Sequence, residues 1–175
     1  MADTAVLVAA LTGGTAVLAS WVTSRGNAKA AKVQAETAVQ VQQRVQVREI
    51  RRTAYLALIE QAHAMGETYW RVGDAYMQVD DEEALRARVE QIRVDLRDGF
   101  APLMRCVRVI VLEGPQEVGE SAEALLKAAS TCNSSLWPVS RGEPDARQLY
   151  DEAHQVFRTR LDAFIGAAHA AMNRE

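Results

Sequence analysis

Apolar residues recur at alternating spacings of four and three through most of the second half of the chain. The strictest run is Leu85, Val89, Ile92, Leu96, Gly99, Leu103, Cys106 and Ile110, and Val118, Ala122, Leu125, Ala129, Cys132 and Leu136 repeat its rhythm. Such spacing lays one apolar stripe along each of two α-helices. Tyr55, Ile59, Ala62, Gly66, Tyr69 and Gly73 predict a helix before them, and Leu149, Ala153, Val156, Phe157, Leu161, Phe164, Ile165 and Ala168 a helix after them. Four amphipathic helices with short connections predict an antiparallel four-helix bundle over 53–175, with helices near 53–79, 82–113, 115–135 and 144–172.

The breaks between stripes carry matching end signals. Asp80-Asp81-Glu82-Glu83 supplies an N-cap, Asp80 or Asp81, and two acids for the positive end of a helix dipole. The stripe keeps its phase through Pro102, so the chain there reads as one helix kinked near Gly99–Pro102 rather than as a strand over Val107–Leu112. Leu112-Glu113-Gly114-Pro115 stops one helix and starts the next. Pro138, Gly142 and Pro144 predict that Trp137–Asp145 is the longest loop, with Trp137 capping the end of the bundle. Ala62, Gly66 and Gly73 form a shallow strip on which another helix can pack closely.

Ahead of the bundle the pattern changes, because Thr4–Ser24 is an uncharged run of 21 residues. At the helical rise it reaches roughly 30 Å, the thickness of a bilayer's hydrocarbon core. Residues 1–24 therefore read as a single N-terminal transmembrane helix. Arg25, Lys29 and Lys32 follow it and Asp3 precedes it, so the cation bias predicts a single-pass protein of the bacterial cell membrane, N-terminus outside and C-terminal domain cytoplasmic. Those three cations would face lipid headgroups, and Trp21 would sit at the inner interface. Ala9, Ala10, Gly13 and Gly14 place small side chains on adjoining helix faces, a pattern that permits close helix pairing in membranes. A secretory signal is the competing reading, but Asp3 stands where a basic residue is expected. Residues 25–52 are rich in Ala, Gln, Arg and Glu and predict a basic helical stalk or loose coiled coil. The alternations Val39-x-Val41 and Val45-x-Val47 also permit a strand.

Charge sharpens the division. The net charge of the 175 residues is −3, yet residues 25–60 carry seven Arg/Lys against three Glu, while 61–175 carry 13 against 19 acids. Arg44, Arg48, Arg51 and Arg52 could attract anionic lipid, whereas interleaved Glu49 argues against specific nucleic-acid binding. The only cysteines, Cys106 and Cys132, have no metal-ligand spacing and fall on apolar stripes. They read as buried free thiols with no bond between them.

The chemical candidates are Glu60-x-x-His63 and Asp151-x-x-His154, because a di-iron bundle uses two carboxylate-x-x-His pairs with further inward carboxylates. Here one acid is Asp, the middle helices offer no inward Glu, and both histidines border their stripes, so local hydrogen bonding is the better account. Gly13-Gly14 lacks the lysine of a phosphate loop, and neither cysteine has a histidine on its own helix. The residues predict no cofactor and no enzyme.

The chain resembles a loose set of uncharacterised small membrane-anchored helical proteins of high-GC Gram-positive bacteria. The resemblance lies in the N-terminal span, the Ala/Arg/Gln-rich helix, the segment Arg51-Arg52-Thr53-Ala54-Tyr55-Leu56 and the turn Leu112–Pro115. It implies architecture and no activity. The reading that follows is a membrane-anchored adaptor or scaffold acting by protein–protein interaction or as a homo-oligomer. The alternative is a membrane-acting effector, in phage defence or lysis, that oligomerises through its weakly apolar span.

Overall fold

A computed structural model of the chain describes the backbone of residues 2–174 and the side chains of residues 32, 34 and 36–174. The predicted span with Ala9, Ala10, Gly13, Gly14 and Trp21, together with Arg25 and Lys29, lies outside the residues whose side chains are described. Among the described residues, no helix is long and apolar enough to cross a membrane.

The fold is all-α, with helices α1 (Ala2–Gln78), α2 (Glu82–Glu113), α3 (Gln116–Ser140) and α4 (Ala146–Arg174). Contacts divide the chain into two compact units, Met1–Val47 and Arg48–Glu175. In the first, Val39, Val41, Val45 and Val47 lie on helix, so the strand alternative fails and these apolar side chains are exposed. Lys32 faces Glu36 at 3.9 Å one turn along.

In the second unit the four stripes meet in a single core. Gly99 of α2 faces Met65 of α1, Gly66 of α1 faces Phe157 of α4, and the Tyr55 and Phe164 rings meet edge to face at 6.2 Å. Each helix thus runs antiparallel to its neighbours, and α1 lies diagonal to α3, which it reaches through Tyr69 and Ala129. The α3 stripe is buried as the spacing predicts, and on α2 Val89, Ile92, Leu96, Leu103 and Ile110 are buried; Leu85, Gly99 and Cys106 are only partly covered, and Val107 takes the inward place expected of Cys106. On α1 the buried set is wider than the predicted face, because Leu58, Met65 and Val72 are fully enclosed beside Tyr55, Ala62 and Tyr69.

The α2 caps follow from local chemistry. Asp81 accepts a hydrogen bond from Ala84 N at 2.8 Å and caps α2. Gly114 ends α2 in extended backbone rather than the left-handed region, and the reason for glycine is space: a Cβ there would lie 2.7 Å from Ile110 O. Arg51 Nε donates to Glu113 O at 2.7 Å and Arg48 to Met172 O at 3.1 Å. Two arginines of the basic stretch therefore serve the negative C-terminal ends of α2 and α4.

Two expectations are corrected. Residues 137–140 are not loop, because α3 continues through Pro138 to Ser140 and its last turn is held by buried Leu136 and Val139. Pro138 forgoes one helical hydrogen bond, and Arg141 N and Glu143 N close the end on Pro138 O. Gly142 then turns the chain at φ +68, a conformation that favours glycine. On α4, Leu149 and Val156 face outward while Tyr150 and His154 face the core. Residues 150, 154, 157, 161, 164 and 168 form one continuous helical line, and the Tyr150 hydroxyl finds a partner inside.

Candidate functional site

Two features concentrate polar chemistry, one inside the bundle and one on its surface. Inside, Tyr69 of α1 donates its hydroxyl to Asn133 Oδ1 of α3 at 2.6 Å, with Ala129 O at 3.1 Å as a second acceptor. Tyr150 of α4 donates to Tyr69 O at 2.7 Å. The His154 ring lies 5.6 Å from that of Tyr69, 5.9 Å from Tyr150 and 5.3 Å from Trp70. Its Nε2 is buried and has no hydrogen-bond partner among the described residues.

Burial decides how this cluster ionises. It pushes the Cys132 thiol up to about 12, so the sulfur stays protonated and a poor nucleophile. Burial also raises both phenols well above the ordinary tyrosine range, and Cys132 adds to the effect at each. The imidazole of His154 is pushed down, first by burial and next by Arg158, against an opposing pull from Asp151. A protonated thiol, two neutral phenols and a neutral imidazole hold the core in register.

On the surface, a groove of about 520 Å³ runs between α2 and α3. Arg93, Arg97 and Phe100 line it from α2 at spacings of four and three, while Ser130, Asn133, Ser134 and Trp137 line it from α3 in the same rhythm. The helices are antiparallel about Gly114–Pro115, which sets Arg93 level with Trp137 and Arg97 level with Asn133. Glu90 grips the Arg93 guanidinium through two hydrogen bonds, 2.8 and 2.6 Å, and Arg93 lies 4.4 Å over the Trp137 ring. Arg141 covers the same ring at 5.2 Å. Trp137 is thus a fixed, half-exposed aromatic wall. Asn133 joins the two features, since its carbonyl oxygen accepts the hydrogen bond from Tyr69 and the residue also lines the groove.

The metal candidates are dispersed. Glu60, His63 and Asp151 are exposed, and Asp151 pairs with Arg147 at 2.9 Å. His154 alone is buried, not on the flank of its stripe but within it. Among the described residues, no group of three or more His, Cys, Asp or Glu side chains is placed to hold a metal ion. Cys106 and Cys132 are both free, the first half-buried and the second fully buried. The groove escaped the sequence reading because that reading followed apolar stripes. The available signal was a second stripe beside them, Arg93-Arg97-Phe100 and Ser130-Asn133-Ser134-Trp137, polar and aromatic at helical spacing.

The chain matches no protein family, no curated protein and no solved structure.

Proposed function

We propose that the protein is a membrane-anchored helical adaptor. In this reading Thr4–Ser24 spans the bilayer with its N-terminus outside, residues 25–52 form a basic stalk, and a cytoplasmic bundle over 53–175 binds a partner protein or a second copy. The observation that carries it is the set of apolar side chains left exposed on α1, Val39, Val41, Val45, Val47 and Ile50, downstream of an uncharged 21-residue run. Val41 and Val45 share one face of α1 and Val39 and Val47 fall on another, so the exposed valines offer a partner two separate apolar strips. Fractionation of cells tests the anchor: the full chain is expected in the membrane and a chain beginning at Gln46 in the soluble pool. Full-length protein recovered without detergent overturns the reading.

A further inference from the structure

We infer that Trp70 is a pH-operated cover over His154: protonation of the buried imidazole drives the indole off it and changes the exposed surface between α1 and α4. The imidazole is 9% exposed, and its Nε2 is enclosed with no hydrogen-bond partner among the described residues. Three rings surround it, and they differ in freedom. Tyr69 and Tyr150 are fully buried, and each spends its hydroxyl on another helix. Trp70 stands nearly at right angles to the imidazole, 5.3 Å away, and is 57% exposed, so it is the ring of the three with room to move.

The surrounding charges oppose a second ring proton while Trp70 stays in place. From α4 the imidazole meets Arg147, Asp151 and Arg158, and from α1 Tyr69 and Trp70, with the Cys132 thiol of α3 behind the two tyrosines. The acids of α1 nearest Trp70 in sequence, Glu67 and Asp74, are exposed. Arg158 already lies 5.4 Å over the Trp70 ring, and Asp151 is held by Arg147 through two hydrogen bonds, 3.0 and 2.9 Å. An imidazolium here has two guanidinium neighbours, an occupied carboxylate and a new N–H without an acceptor. A buried charge so placed is relieved by water. Outward movement of Trp70 admits that water and lets Arg158 withdraw from the new cation. Burial, and after it Arg158, lowers the proton affinity of the imidazole, so the movement belongs below the ordinary histidine value of about 6.5. The inference does not depend on the membrane anchor, since every group in it belongs to the second compact unit.

The test uses the full chain in detergent micelles, with 5-fluorotryptophan at each of its three tryptophan positions. Fluorine NMR reads the H2O/D2O isotope shift of each signal, which measures contact with solvent and not the presence of a nearby charge. Trp70→Phe identifies the Trp70 signal, and Trp137 serves as the internal reference. Between pH 7.5 and 4.5 the Trp70 isotope shift is expected to rise toward its value in urea while that of Trp137 stays constant. His154→Phe is expected to hold it at the pH 7.5 value. Arg158→Gln removes a cation and should move the midpoint up by a few tenths of a pH unit, and Asp151→Asn removes the balancing acid and should move it down by a similar amount. Both residues are exposed, so these variants keep the fold. A constant Trp70 isotope shift, a rise that persists in His154→Phe, a simultaneous rise at Trp137, or a midpoint that fails to move as stated in the surface variants overturns the proposal.

Discussion

The Tyr150 hydroxyl on α4 donates to the main-chain oxygen of Tyr69 on α1, whose own hydroxyl donates onward to Asn133 on α3. One residue therefore links three helices through its two ends. Tyr150→Phe is expected to cost about 1 kcal/mol, the net worth of one hydrogen bond. Tyr69→Phe should cost more, about 1–3 kcal/mol, because it leaves the part-buried Asn133 oxygen unsatisfied. Chemical denaturation of both single variants and the double variant measures the link. Strictly additive losses would show that the two bonds act independently.

His154 gives the bundle a pH dependence of definite sign. Its folded-state pKa is depressed, chiefly by burial, so the unfolded chain takes up a proton before the native one does. Stability is then complete above the ordinary histidine pKa of about 6.5 and falls as pH drops through it toward the lower folded value. Thermal melts between pH 7.5 and 5.5 should show this decline, and His154→Phe should flatten it. A slope unchanged by that substitution would remove His154 as its source.

Leu96 and Arg97 are neighbours in sequence and opposites in burial, the first 1% exposed and the second on the surface. Leu96→Asp places a carboxylate in the core and should cost several kcal/mol. Arg97→Asp should shift the melting temperature little. Equal melting temperatures would mean that the phase of α2 is wrong.

Legibility followed a simple rule: where apolar volume alone chooses the inward face, the sequence suffices. That holds for Val89, Ile92, Leu96 and Leu103 on α2 and for Leu125, Cys132 and Leu136 on α3. On α4 hydropathy favours Leu149 and Val156 over Tyr150 and His154, and the outcome is reversed because the Tyr150 hydroxyl is satisfied by a carbonyl on a helix distant in sequence. Such a partner leaves no local trace. Pro138 misled for a similar reason, since the burial of Val139 that keeps α3 going past it depends on packing with other helices. The groove exists only once α2 and α3 are set side by side.

In the proposed reading, association through the span would rest on Ala9, Ala10, Gly13 and Gly14. Replacing Gly13 and Gly14 with Leu should weaken self-association in a membrane reporter while leaving insertion intact, because bulky side chains hold the backbones apart. An adaptor would survive the change, and a membrane-acting effector would lose its activity. The same signal from wild type and double variant would remove the span from the assembly and leave the exposed valines of α1 to account for it.

Arg48 bonded to Met172 O brings the two ends of the second unit together. A load applied between those ends would meet the helices in the peeling direction, separating α1 from α4 one contact at a time instead of shearing the whole interface at once. Peeling needs little force, so tension on this unit would open it from the Arg48 end and expose the Tyr55–Phe164 contact before that of Tyr69 with Tyr150. A bundle joined in this way is suited to holding position under low force and to yielding gradually when pulled.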